Sequence, residues 1–230
     1  MSTILNIETS TNACSVALTT DCAVSIHFED FSGRNHAALL SGYIKQCLDQ
    51  AKMNGKQLDA VAVSLGPGSY TGLRIGLSEA KGLAYALDIP LIGIPTLQIM
   101  ATSVMFNHPG IDLDTRFAPM LDARRMEVYT CVLDMWLKEL MPTKPMIITE
   151  DSYAEFLEQG PLLLFGNGSD KARDIIKSTN AKFISGIVPL ATDMLALSEK
   201  ALRAGDFLDL AYSVPLYLKD FQASKPKALF

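Results

Sequence analysis

Leu65-Gly66-Pro67-Gly68-Ser69-Tyr70-Thr71-Gly72-Leu73-Arg74-Ile75-Gly76 joins a short apolar run, Val61-Ala62-Val63, to a longer stretch with helical spacing. The reading is strand, tight turn, helix. Gly66-Pro67-Gly68 supplies the turn, and Ser69 or Thr71 is placed to cap a helix running from Thr71 to Leu87. A glycine-rich turn feeding a helix N-terminus can hold an anion, because unpaired N–H groups converge there. No Lys follows Gly72, so this is no Walker A loop, and Ser69 does not centre a G-x-S-x-G nucleophile elbow. Within the helix, Gly72, Gly76, Ala80 and Ala84 recur every fourth residue and make one face small. The interior glycines Gly72, Gly76 and Gly82 each cost roughly 1 kcal/mol relative to Ala, so a backbone is expected to approach closely. That neighbour is either the chain's own preceding helix or another subunit.

Working outward, Ile4–Ile7, Cys14–Leu18 and Val24–Phe28 read as three strands, broken at Ser10-Thr11-Asn12 and Thr20-Asp21. A helix is expected from Asn35 to Met53, ended by Asn54-Gly55. Leu91–Ile94 reads as a strand, and Thr96 as the cap of a helix reaching Phe106. The second half repeats the order: strands Phe117–Leu121, Glu127–Leu133 and Met146–Thr149, helix Asp151–Gln159, strand Leu162–Phe165, helix Ser169–Ser178, a strand at Phe183 and helix Thr192–Ala204. Both halves thus read β-β-β-α-β-α, an α/β architecture of two lobes, residues 1–106 and 107–212, with a tail over 213–230. A cleft between two such lobes is a common ligand position.

At 230 residues the chain is long enough to bury its own core without a staple. A net charge of −5 excludes binding nucleic acid alone, so any RNA is expected to be held mainly by another chain. Cys14, Cys22, Cys47 and Cys131 form no C-x-x-C pair and read as buried thiols in a reducing compartment. No basic, apolar leader follows Met1. The charge-free stretch between Asp88 and Asp112 is interrupted by Pro90, Gly93 and Pro95, so a soluble, cytoplasmic protein is expected, without a membrane span. His27, His36 and His108 are too far apart to form a helical ligand pair, so no metal site and no catalytic residue is visible. His36 itself reads as a capping or surface residue. Glu8, with the hydroxyls of Thr9 and Ser10, sits in a hairpin that could present an acid to a phosphate-bound ion or be an ordinary polar turn. Asp122-Ala123-Arg124-Arg125 occupies the matching place in the second half, either as an exposed turn or as a contact for an anion or partner. Gly166-Asn167-Gly168-Ser169 is another turn into a helix.

Taken together, Leu5-Asn6-Ile7-Glu8-Thr9-Ser10-Thr11, Ser15-Val16-Ala17-Leu18, His36 with Leu39-Leu40, the Gly66–Gly76 run, Asp122-Ala123-Arg124 with Glu127-Val128-Tyr129, and Pro215-Leu216-Tyr217-Leu218-Lys219 resemble the TsaB (YeaZ) family. Glu8 stands where that family usually has Asp, and the Asp122 turn carries a second Arg. The resemblance implies an actin-like, sugar-kinase/Hsp70-type fold and a non-catalytic subunit for N6-threonylcarbamoyladenosine formation on tRNA. Such a subunit assembles with the metal-binding transferase TsaD and the ATPase TsaE, contacts tRNA only indirectly, and forms a homodimer when alone. By the same resemblance the partner surface is expected at His36, Leu40, Tyr43, Gly72, Arg74, Gly76, Ala80 and Ala84. No tightly bound cofactor is expected. ATP or ADP at the partner interface would be contacted by Glu8, Thr9, Ser10, Gly68, Ser69 and Thr71. The competing class is a peptidase or nucleotide-dependent phosphotransferase working in the cleft near Glu8 and Ser69.

Overall fold

The structure is a computed structural model that describes residues 2–33 and 35–219. The tail from Asp220 to Phe230 lies outside them. Strands β1 (Thr3–Glu8), β2 (Cys14–Thr20) and β3 (Ala23–Asp30) form a meander, followed by helix α1 (His36–Met53), strand β4 (Ala60–Gly66), helix α2 (Tyr70–Leu87), strand β5 (Leu91–Pro95) and helix α3 (Thr96–Asn107). The second half runs β6 (Arg116–Asp122), β7 (Glu127–Leu133), β8 (Glu139–Ile147), α4 (Ala154–Glu158), β9 (Leu162–Phe165), α5 (Ser169–Arg173) and β10 (Ala181–Ile184). A 3-10 turn over Ala191–Met194 then leads into α6 (Leu195–Ala204).

The two sheets have the orders β3-β2-β1-β4-β5 and β10-β9-β6-β7-β8, the same topology written in opposite directions. In each, the first strand pairs antiparallel with the second and parallel with the fourth. The fold is therefore the duplicated, actin-like α/β architecture. Each half carries one more strand and one more helix than the bare β-β-β-α-β-α pattern.

Central strand β1 is buried on both faces, so its alternation sorts side chains between two cores instead of between core and water. Leu5 and Ile7, with Val61 and Val63 of β4, pack beneath α1 and α2. Ile4, with Ala60 and Ala62, faces the opposite way, onto the 3-10 turn and α6. The small alanines let that layer come close. Helix α3 lays Leu97, Met100, Ala101 and Val104 against Phe117, Leu121 and Phe165 of the second sheet. Each half thus sends its last helix across to the other half's sheet, and the packing cuts across a division at residues 106 and 107.

Several local expectations are corrected. Thr96 is the first residue of α3 instead of its cap, and its hydroxyl is buried without a hydrogen-bond partner among the described residues. Strand β8 begins at Glu139, well before Met146, because Pro142 and Pro145 are tolerated on an edge strand. Helices α4 and α5 are single short turns, the latter ending at Arg173 instead of Ser178. Cys22 is exposed in the left-handed turn between β2 and β3, while the other three thiols are buried. No helix among the described residues is long and apolar enough to cross a membrane.

Candidate functional site

Helix α2 has two faces with opposite fates. Ser69 caps it, its hydroxyl accepting the Gly72 N–H at 3.2 Å, while Thr71 is exposed and caps nothing. The small stripe points inward. A Cβ on Gly72 would lie 2.1 Å from the Thr9 carbonyl oxygen, and one on Gly76 would lie 2.2 Å from Thr9 Oγ1. Thr9 Oγ1 in turn donates to the Gly72 carbonyl at 2.8 Å. The close neighbour is therefore neither α1 nor another subunit but the hairpin after β1. Gly72, Gly76, Ala80, Ala84 and Leu40 are all buried within this chain and leave the expected partner surface. His36 and Tyr43 are also committed internally. The His36 ring Nε2 lies 3.1 Å from the carbonyls of both Thr11 and Ala13, and Tyr43 stacks on Phe28 with centroids 5.3 Å apart.

The neighbouring face of α2 is open. Between it and α1 runs a groove of about 630 Å³, with Ile44, Ile75 and Leu83 in its walls and Arg74 and Glu79 among its polar lining. Glu79 accepts a hydrogen bond from Ser41 at 2.5 Å, tying the two helices together across it. Gly82 lies in this groove with nothing within 4 Å of where its Cβ would be. Gly82 therefore costs helix stability while admitting no close neighbour among the described residues. Of the eight interface residues expected from sequence, Arg74 alone lies on this face. Its guanidinium sits 3.9 Å from the Tyr70 ring centroid, and its Nε donates to Tyr217 Oη at 2.8 Å. The missed signal was a second stripe of the same helix, Ile75, Ser78, Glu79, Gly82, Leu83 and Ala86, one step around from the small one.

The glycine-rich turn is sealed. A Cβ on Gly68 would stand 2.4 Å from the Ser10 carbonyl oxygen, which accepts the Ser69 N–H at 2.6 Å. On its other side Leu216 N–H donates to Leu65 O at 2.7 Å and closes over Gly66. The notch that a phosphate would enter holds Ser10 instead, so these residues do not fit a nucleotide phosphate in this conformation. Glu8, Thr9 and Ser10 have at most 1% of their surface exposed.

Behind that seal lies a buried polar cluster. Glu8 Oε1 accepts the Ser10 N–H at 2.5 Å, while its Oε2, Ser10 Oγ and Asp193 Oδ2 have no hydrogen-bond partner among the described residues. Asp193, from the 3-10 turn of the second half, was not singled out from sequence, where it reads as an ordinary first-turn acid. Burial pushes the Glu8 carboxyl up to about 7, against the lowering effect of Ser10 and Ser64 beside it, and Asp193 nearby adds to the rise. Burial likewise raises Asp193 to about 6. The folded state therefore holds a proton that the unfolded chain releases, so the Glu8 contribution to stability is fully present below pH 4.5 and is lost as pH climbs through about 7. Glu8 contributes about 3 kcal/mol to that fall. Glu8→Gln should flatten it: the melting-temperature difference between pH 5 and pH 8 shrinks relative to wild type. An unchanged difference would contradict the buried, protonated reading. No group of three or more His, Cys, Asp or Glu side chains among the described residues is arranged to hold a metal ion.

In the second half, the turn between β6 and β7 is built from charge. Lys171 Nζ donates to Asp122 Oδ1 at 2.5 Å and to the carbonyls of Arg125 and Glu127 at 2.7 Å each. Asp122 Oδ1 also accepts the Arg124 N–H at 2.8 Å, and Asn167 Oδ1 accepts the Asp122 N–H at 2.9 Å. Partial burial raises the Asp122 carboxyl, but Lys171 and the Arg124 N–H outweigh it and hold the group below its usual range. Gly166 and Gly168 press on Met120 and Leu121 here much as Gly68 and Gly72 press on Ser10 and Thr9.

A two-lobed actin-like chain with a sealed turn and an open helical groove defines the class within which the comparisons fall. The family model described as "TsaD: tRNA N6-adenosine threonylcarbamoyltransferase" matches residues 30–227. The tRNA threonylcarbamoyladenosine biosynthesis protein TsaB of Escherichia coli (strain K12) is 31% identical over 233 residues, covering 96% of each chain. The TsaB protein of Bacillus subtilis (strain 168) is 29% identical over 180 residues, 76% of this chain and 75% of that one. The solved structure of YeaZ from Pseudomonas aeruginosa superposes with a TM-score of 0.81 at 27% identity, over 95% of this chain and all of that one. The chain belongs to the TsaB (YeaZ) family.

Proposed function

We propose that this chain is the non-catalytic, activating subunit of a tRNA threonylcarbamoyltransferase assembly. It docks a TsaD-like transferase through the groove between α1 and α2, works with a TsaE-like ATPase, and supports N6-threonylcarbamoyladenosine formation next to the anticodon in the cytoplasm. The observation that carries this reading is the open groove around Gly82, set against the internal burial of the Gly72–Ala84 stripe. Arg74, Ile75, Glu79, Gly82 and Leu83 are the contact residues, and the same face pairs two copies when the transferase is absent. The half-buried walls of Ile75 and Leu83 suit the centre of an interface, with Arg74 and Glu79 at its polar margin. Family membership supports the reaction class, since TsaB relatives carry the modification in their names. The sealed Gly66–Ser69 turn and the buried Glu8 support a supporting role over chemistry in the cleft.

Reconstitution tests it. The isolated chain should turn over neither ATP nor peptide, and adding it to a TsaD-like chain, a TsaE-like ATPase and the donor synthase should restore modified adenosine in tRNA. Turnover by the isolated chain that is lost on Glu8→Gln or Ser69→Ala would overturn the assignment.

A further inference from the structure

Arg124 and Arg125 are consecutive residues with φ of 70° and 52°, both in the left-handed region. Glycine and asparagine adopt that conformation at lower cost, and nothing in the β6–β7 connection demands arginine for folding. The local ions are already accounted for. Lys171 spends its three donors on Asp122 and on the Arg125 and Glu127 carbonyls, and Lys219 pairs with the Glu127 carboxylate. Lysines pair with both acids of the turn, and Arg124 adds only a through-space attraction to Asp122, with no direct bond from either guanidinium. Both arginines are exposed, and neither guanidinium forms a hydrogen bond or ion pair among the described residues. A chain of net charge −5 thus carries a rigid knuckle of surplus positive charge at a strained turn.

We propose that this knuckle grips phosphates of the RNA substrate when the chain is docked to its transferase partner. The inference rests on the assembly reading above. Two adjacent guanidinia present forked donors that match phosphate oxygens, and a pinned turn loses little freedom on binding. This direct contact departs from the purely indirect one that the resemblance implies, and acidity elsewhere on the chain fits a knuckle that adds to a site held mainly by the partner and does not bind alone.

The test uses the chain assembled with its TsaD-like partner and a tRNA anticodon stem-loop as probe, read by fluorescence anisotropy across a salt series. Arg124→Asn with Arg125→Gly keeps the turn's backbone preference, and Arg124→Ala with Arg125→Ala repeats the charge loss. Lys200→Ala with Arg203→Ala on α6 is the charge-matched control. Both knuckle variants should bind RNA at least tenfold more weakly at 0.1 M salt. The slope of log K against log salt should drop in magnitude by about 2, while co-elution with the partner is unchanged. The Asn/Gly variant should also melt a few degrees higher than wild type, an outcome that a merely structural role for the arginines forbids. Unchanged RNA affinity and slope in a variant that still co-elutes overturns the proposal. Wild type that fails to co-elute sinks the assembly reading first, and this one with it.

Discussion

Gly72→Val should abolish cooperative folding. The added Cβ would fall 2.1 Å from the Thr9 carbonyl oxygen, a backbone atom held in place by the β1 hairpin. The same movement breaks the 2.8 Å bond from Thr9 Oγ1 to the Gly72 carbonyl. Overpacking of this kind costs roughly 3 kcal/mol or more, a large share of the 5–15 kcal/mol that stabilises an ordinary domain. The check is urea denaturation followed by circular dichroism, with a midpoint far below wild type or no transition at all. A normal midpoint would show that the inward face is not packed as described. Gly76→Leu acts by the same route, through Thr9 Oγ1, so it reports on folding before it reports on any partner.

Gly82→Glu should do the reverse. Its Cβ enters open space on an exposed stretch of helix, and glutamate is a better helix former than glycine, so stability should hold or rise by up to about 1 kcal/mol. Association with the TsaD-like partner should nevertheless collapse. A carboxylate in the centre of the groove would be buried unpaired in the complex, at a cost of about 3 kcal/mol, on the order of a hundredfold in Kd. Calorimetric titration of the folded variant reads this directly. Wild-type affinity would place the docking face elsewhere. These two glycines lie less than three turns apart on one helix, yet one is pressed against Thr9 and the other faces open space.

Much of the architecture was legible locally. Strands β7 and β9 lie where the apolar runs placed them, and Gly55 ends α1 with φ of +66°, as a C-terminal glycine should. The glycine spacing of α2 correctly announced a close approach. It could not say to what, because periodicity describes a helix's face and not what lies against it. The neighbour, Thr9, sits in a turn some sixty positions earlier that reads only as polar. The Glu8 and Asp193 pair was invisible for the same reason: the two come together only because the 3-10 turn of the second half packs back onto the first sheet. Strand β8 was hidden by two prolines that only an edge position permits. The Arg124-Arg125 turn was visible as charge, but its left-handed backbone and its dependence on Lys171 were not.

Amide hydrogen exchange of the intact chain, alone and with the TsaD-like partner, tests the docking face most directly. The account predicts new protection over residues 74–86 of α2 and 37–44 of α1, with the Ser10–Ser69 seal already protected in both states. Protection confined to the second sheet, or none on α1 and α2, would contradict it.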